Sequence, residues 1–209
     1  MKGLFISFEG NDGSGKSSAL TKVKEKLTNL GLNVIYTREP GGSEISERIR
    51  EVILDKNNYG MDDLTEAYLY AASRREHVVK TIRPALAEGK IILCDRFIDS
   101  SLAYQGFARG LGIDKVYDLN QYATEGLLPD LTILVCVHPQ IGLSRIKKDA
   151  RNLDRLELEE LEFHNKVYQG YLEVAKRFKD RIVIVNGEKS QSEVLEEVEN
   201  IVLKFIKEH

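Results

Sequence analysis

Cysteine is scarce in this 209-residue chain, with Cys94 and Cys136 the only two. Each sits in an apolar run, so both read as buried free thiols; a disulfide framework or a cysteine metal site is not expected. Excess positive charge is missing as well, since 30 basic and 33 acidic side chains leave a formal net charge of −3. No global field then draws the protein to nucleic acid or to a membrane surface, and any anion must be held by local basic clusters. No apolar stretch reaches membrane-spanning length, and Met1-Lys2 leads straight into a strand-like segment without an apolar leader. A cytoplasmic location is the expectation. Internal repeats, low-complexity tracts and linkers of domain-boundary type are absent too. With 42% hydrophobic and 30% charged residues the mix is that of a globular chain, and one domain over residues 1–209 has room for a full core.

What is present is an alternation of strands and helices. Leu4 to Glu9 reads as a buried strand that stops at Gly10. Helical spacing follows in Leu20, Val23, Leu27 and Leu30, with Gly31 as its stop. Further strands are expected at Val34 to Thr37, Ile91 to Cys94, Leu131 to Val137 and Ile182 to Val185. Between them lie helical patterns around Ile45–Ile53, Leu64–Thr81 (ended or kinked by Pro84), residues 114–126, a short stretch through Arg145, Phe163–Phe178 and Glu193–Ile206. Strands apolar on both faces imply a parallel sheet covered by helices on each side. Ligands of such sheets sit beyond the carboxyl ends of the strands, which places the segments after the first four strands at one site.

The first of those segments carries chemistry. Gly10-Asn11-Asp12-Gly13-Ser14-Gly15-Lys16-Ser17, followed by Ser18, fits G-x-x-x-x-G-K-[ST] at every fixed position. Glycines let successive backbone N–H groups turn inward around an anion, and the next helix points its positive end at the same place. Lys16 can reach the β- and γ-phosphates, and Ser17 can place its hydroxyl on Mg²⁺. The string lies between a buried strand and an amphipathic helix, the context a phosphate loop requires. No Asn-Lys-x-Asp guanine reader stands in the chain; Asn165-Lys166-Val167-Tyr168 is the nearest string and sits mid-helix. A regulatory GTPase is therefore disfavoured, and the length suits a small-molecule kinase.

The third strand runs into Asp95-Arg96 at the same sheet edge. Asp95 can hold Mg²⁺ directly or through water, and Arg96 can grip an acceptor phosphate as a bidentate fork; an ion pair at a strand end is the plainer alternative. The segment from Phe97 to Gly106, with Ser100, Ser101, Tyr104 and Gln105, can wall in a nucleobase or simply start a helix capped by Asp99 or Ser100. Arg38 follows the second strand, Arg50 lies on the next helix, and Tyr70 and Arg74 share one helix face. Spacing alone reads Tyr70 as core and Arg74 as a surface charge. The basic run from Arg145 through Arg151 to Arg155 can be a lid over phosphates or a solvated charge run. Asn186 to Ser190, by position only, can border the base of the donor.

Taken together, Phe8-Glu9-Gly10, Thr37-Arg38-Glu39-Pro40-Gly41-Gly42, Tyr70-Ala71-Ala72-Ser73-Arg74, Asp95-Arg96 with Ser100 to Gly106, Leu128 to Thr132, and Asp154-Arg155 resemble the thymidylate kinase family over nearly the whole chain. The resemblance implies an α/β fold of the P-loop NTPase kind: three layers, a five-stranded parallel sheet with helices on both faces, and a short lid at about residues 145–157. It implies ATP and dTMP as substrates, Mg²⁺ as cofactor and a homodimer. It also implies roles. Asp12 would bond the 3′-hydroxyl of dTMP, and Arg96 with Arg38 or Arg50 would hold its phosphate. Tyr70 would stack on thymine, and Arg74 would bond O4. Ser101 and Gln105 would line the base pocket, while Tyr104 would crowd the 2′ position. No arginine stands between Gly10 and Gly15, which matches the branch whose lid arginines, here Arg151 and Arg155, serve the donor phosphates. Another nucleoside or nucleoside-monophosphate kinase, or a nucleotide-dependent switch, remains a rival reading.

Overall fold

The computed structural model describes residues 3–148 and 154–209. Five strands, β1 (Leu4–Glu9), β2 (Val34–Arg38), β3 (Ile91–Asp95), β4 (Leu131–Cys136) and β5 (Ile182–Asn186), form one parallel sheet in the order β2-β3-β1-β4-β5. Each lies where the apolar runs place it. The helices are α1 (Lys16–Asn29), α2 (Glu44–Leu54), α3 (Asp63–His77), α4 (Arg83–Ala87), α5 (Ile98–Ser101), α6 (Ile113–Thr124), α7 (Pro139–Lys148), α8 (Leu161–Arg177) and α9 (Gln191–Glu208).

Alternate residues of the central strands feed two separate cores, as the period-two geometry of a strand requires. Phe5, Ile92, Leu134 and Cys136 pack with Phe97, Leu102, Val167, Tyr171 and Val174 on one face. Ile6, Phe8, Leu93 and Val135 pack with Leu20 and Val23 of α1 and Val194 and Val198 of α9 on the other. Each such side chain, fully buried, contributes roughly 1.5–3 kcal/mol. Local signals set the helix starts. Ser43 caps α2 by accepting from the Ser46 amide, and Ser190 and Glu193 form a capping box on α9. The two thiols are free and buried, as the sequence suggests.

Of the two readings for Pro84, an end or a kink, the first does not hold: the path after α3 continues through a π-helical turn, Val78–Ile82, into α4, where Pro84 sits in the first turn and its missing N–H is harmless. One local expectation needs correction. Neither Asp99 nor Ser100 caps the helix after β3; Phe97 takes the cap position without a side-chain bond. Asp99 is instead spent on Arg181, which reaches both its carboxylate oxygens at 2.7 Å. The helix then widens into a π-helical stretch, Leu102–Ala108, which carries Tyr104 and Gln105.

β1 lies between β3 and β4, so connections leave it towards opposite sides of the sheet. That is the switch point where a parallel sheet opens a crevice at the carboxyl ends of its strands. The register puts Phe8 and Arg38 both level with Asp95, so Glu9, Arg38 and Asp95 end at one edge.

Candidate active site

The loop after β1 is built as its glycines require. Gly10 and Gly13 have φ of 146° and 73°, where a side chain is strained. A Cβ would also come within 2.2 Å of the Val135 carbonyl oxygen at Gly10 and of the Gly142 carbonyl oxygen at Gly13. Neighbouring backbone thus closes on the loop at both glycines. Asn11 ties the loop to the end of β4 by donating to the Val137 carbonyl at 3.0 Å. Lys16 opens α1, is buried, and donates to the Asp95 carboxylate. Ser17 donates to the other oxygen of Asp95 at 3.1 Å. Burial pushes the Asp95 carboxyl up, but the charges of Lys16 and Arg96 and the bonds from Lys16 and Ser17 outweigh it, so its pKa lies below the ordinary 3.8. The site therefore keeps an anionic oxygen beside a hydroxyl at the mouth of the loop.

A cleft of about 430 Å³ opens over Asn11 to Ser18 and is bordered by Arg38, Arg50, Asp95 and Arg96. A second cavity, between α2, α3 and the 98–108 helix, is lined by Tyr70, Arg74, Ser100, Tyr104 and Gln105, with Leu54, Phe97 and Leu156 as apolar wall. Asp12, Glu39, Arg50, Arg96 and Asp154 border both. The two spaces meet at those charged groups.

Arg96 stands at the centre of the junction. Its backbone has φ of 68°, an uncommon left-handed conformation for a side-chain-bearing residue, fixed by a bond from its N–H to the Phe8 carbonyl at 2.9 Å. Its guanidinium donates to Asp12 at 2.7 Å, to the Gly10 carbonyl at 3.0 Å and to the Tyr171 hydroxyl at 2.9 Å. The Tyr104 hydroxyl donates to the far oxygen of Asp12 at 3.3 Å.

Arg74 is not the surface charge its spacing suggests. It is 1% exposed and donates through Nε to Glu39 at 2.7 Å, through Nη1 to Ser101 at 3.0 Å and to Asn120, and through Nη2 to the Phe97 carbonyl at 3.0 Å. Four of its five donors are engaged, so at most one remains for a ligand. Glu39, equally buried, also accepts from His77 at 2.9 Å. Breaking one partner of such a buried pair typically costs about 3–5 kcal/mol. Arg38 borders the loop cleft and pairs with Glu47 at 2.8 Å, while Arg50 reaches the Pro40 carbonyl at 2.9 Å. Ser101 stands behind the cavity wall as a partner of Arg74. Arg155 lines neither space: it is buried, 4% exposed, against Glu66, not presented to the loop as a lid residue would be. Arg151 lies outside the described residues.

Comparison with known proteins decides the family. The family model described as Thymidylate kinase matches residues 8–198. The chain is 55% identical to the thymidylate kinase of Limosilactobacillus fermentum, over 97% of its own length and 95% of that protein's. It is 54% identical to that of Bacillus licheniformis, over 100% and 99%. The crystal structure of thymidylate kinase from Ehrlichia chaffeensis superposes with a TM-score of 0.77 at 32% identity, covering 99% of each chain. The chain belongs to the thymidylate kinase family.

The thymidylate kinase motifs do not announce every polar residue of the site. Glu9 is named only as part of a motif string, yet it is fully buried and accepts from the Phe97 amide at 2.7 Å, from Ser100 at 2.5 Å and from Tyr171 at 3.0 Å. The available signal was a carboxylate closing a strand whose only other polar residue is Ser7. Burial first, then the negative charge of Asp99, raises its pKa from an ordinary 4.5 to about 7, against the bond from Ser100 and the charge of Arg96. Since the folded state holds this proton more tightly than the unfolded one, the stabilisation is complete below about 4.5 and is lost as pH rises through about 7. Glu9→Gln is therefore expected to gain stability relative to the parent between about pH 5 and about pH 8, read as a growing difference in urea midpoint. A difference that stays constant or shrinks across that range contradicts the raised pKa.

Proposed function

We propose that this protein acts as a thymidylate kinase, moving the γ-phosphoryl group of ATP to dTMP to give ADP and dTDP, in dTTP synthesis. The observation that carries the reading is the junction of the two spaces at Asp12, Arg50 and Arg96. A triphosphate seated in the loop and a nucleoside monophosphate in the second cavity would meet there with their phosphates side by side.

In this reading the backbone amides from Gly10 to Ser17 and Lys16 hold the β- and γ-phosphates, and Ser18 follows them on α1. Arg96, with Arg38 or Arg50, takes the acceptor phosphate. Asp12 takes the sugar 3′-hydroxyl, with Tyr104 packed beside it against a 2′ substituent. Tyr70 stacks on the base, Arg74 offers its remaining N–H to a carbonyl, and Gln105 completes the pocket, with Ser101 behind the wall as a partner of Arg74. The acceptor phosphate is already anionic at neutral pH, so no side chain needs to act as base; alignment and charge neutralisation are the chemistry required.

Among the described residues no cluster of three or more His, Cys, Asp or Glu stands ready for a metal. A phosphate-loop site needs none, because hydroxyl, carboxylate and phosphate oxygens suffice for a hard cation. Ser17 and the ionised Asp95 supply two such oxygens and would hold Mg²⁺, which when bound spreads the charge of the phosphates. The donor phosphates fall to cations of the 145–157 segment other than the buried Arg155: Arg145 already reaches the carbonyls of Gly13 at 3.2 Å and Gly187 at 3.0 Å, between the loop and the turn expected to border adenine. We further propose a single domain over 1–209, a homodimer and a cytoplasmic location. Among the described residues no helix is long and apolar enough to cross a membrane.

A coupled ADP-release assay over a panel of nucleosides and monophosphates tests the reading. The expected result is a kcat/KM for dTMP at least about a hundredfold above thymidine, because a nucleoside leaves Arg96 and its neighbours without their anion. Turnover of thymidine but not dTMP would replace the reading with a nucleoside kinase. Slow hydrolysis without any phosphorylated product would replace it with a switch.

A further inference from the structure

Asp154 accepts from the amides of Leu156 and Glu157, both at 2.9 Å, and so closes a tight turn. The turn sends Asp154 and Leu156 towards the second cavity and Arg155 into the protein. There Arg155 donates through Nε to the Ile53 carbonyl at 2.8 Å and through Nη2 to Glu66 at 2.5 Å. Glu66 is wholly buried and also accepts from Gln105 Nε2 at 2.8 Å and from Arg109 at 3.3 Å. One carboxylate thus joins α3, the 102–108 stretch and the chain after Asp154, and through Arg155 the end of α2. Each of these contributes a wall of the acceptor cavity: Tyr70, Gln105, Leu156 and Leu54.

The chemistry of the node also fixes an orientation. An ionised carboxylate only accepts, so Gln105 must donate to Glu66 through its NH₂ group, which leaves its carbonyl oxygen as the end available to a base. Arg155 and Arg109 both donate to Glu66 Oε2, Arg155 from the shorter distance; without Arg155 the buried carboxylate loses its nearest cation and would seek another arrangement.

We propose that Arg155 is a positioning residue of the acceptor cavity, acting through Glu66 and the Ile53 carbonyl to hold Leu54, Gln105 and Leu156 in register around the base, and that it has no part in holding the donor phosphates. The proposal rests on the reading of that cavity as the dTMP site. It separates from the role that a basic lid would give the same residue, because the two predict opposite kinetics.

The test is a pair of saturation curves, in dTMP and in ATP, with calorimetric dTMP binding, for the parent chain, Arg155→Lys, Glu66→Gln and the double variant. Both singles are expected to raise KM and Kd for dTMP about tenfold or more while KM for ATP moves less than about twofold. The double variant is expected within about twofold of the worse single, since both act through one contact. A rise in KM for ATP with dTMP binding unchanged overturns the proposal, as does dTMP binding within about twofold of the parent in the singles. If Arg155→Lys fails to fold, Glu66→Gln carries the same readouts by itself. A parent chain that does not bind dTMP defeats the functional reading; a parent that binds it beside unaffected variants defeats this inference alone.

Discussion

Lys16→Ala is expected to lower kcat about a thousandfold or more while leaving dTMP binding within about twofold of the parent. The size follows from where the ammonium sits. Lys16 is 8% exposed, at the mouth of the loop. A unit charge about 4 Å from another is worth about 4 kcal/mol at the effective dielectric of such a place, and about 1.4 kcal/mol is a factor of ten in rate. The loss is compounded by Asp95, whose pKa is held down in part by Lys16. Without the ammonium, burial acts on that carboxylate with less opposition, and the phosphate oxygens face an anion that lacks its nearest partner. The selectivity follows from geometry too, because Lys16 borders the loop cleft and not the acceptor cavity. Single-turnover rates at saturating ATP, with calorimetry of dTMP, check both halves. A variant within about tenfold of the parent rate would mean that the loop does not hold the transferred phosphate.

The parts of this molecule that could be read in its sequence are those governed by short-range rules. The strand into Gly10, the glycines of the loop and the lysine after them are adjacent in the chain, so motif and structure coincide. Asp95 and Arg96 were legible because a parallel sheet delivers strand ends to one edge whatever the details of packing. The misreadings concern burial of charge. Tyr70 and Arg74 share a face, but spacing cannot tell whether that face meets water or Glu39, which is brought up from 35 residues away. Arg155 looks like the last cation of a basic run until Glu66, 89 residues distant, is seen beneath it. Glu9 is hidden for the same reason: its partners Ser100 and Tyr171 come from the 98–108 helix and from α8. A charged residue is called to the surface by composition and kept inside only by partners that sequence distance conceals.

These buried pairs share a logic with the site. Glu39–Arg74 stands in the wall of the acceptor cavity, Glu66–Arg155 lies behind it, and Glu9 accepts from Ser100, another wall residue. The two apolar cores on the sheet are built from other residues. Each buried pair instead fixes the direction of a polar group at the cavity wall, a task that apolar packing cannot perform because it is not directional. The expectation is that exchanges within these pairs act on substrate binding more strongly than their effect on thermal midpoint would suggest.

Arg96→Ala is expected to cut kcat/KM for dTMP by about a thousandfold to ten-thousandfold, with the larger part in KM for dTMP. Arg96 borders both spaces and offers a planar fork to an anion at their junction. Its removal takes away an attraction and uncovers a repulsion, since Asp12 loses the partner it holds at 2.7 Å and then faces the incoming phosphate as a bare carboxylate. Arg96→Lys is expected to restore little of this. An ammonium can neutralise Asp12 or the phosphate, but its compact head cannot bridge Asp12, the Gly10 carbonyl and a ligand at once as the guanidinium geometry allows. The backbone separates a loss of chemistry from a loss of fold. At φ of 68° an alanine keeps a strain of about 1–2 kcal/mol that glycine does not feel. Arg96→Gly should therefore have the higher thermal midpoint of the two while being equally inactive. Activity that recovers in the glycine variant along with stability would mean that Arg96 shapes the turn after β3 and leaves the phosphate to other residues. Equal inactivity at unequal stability places its contribution in the guanidinium itself.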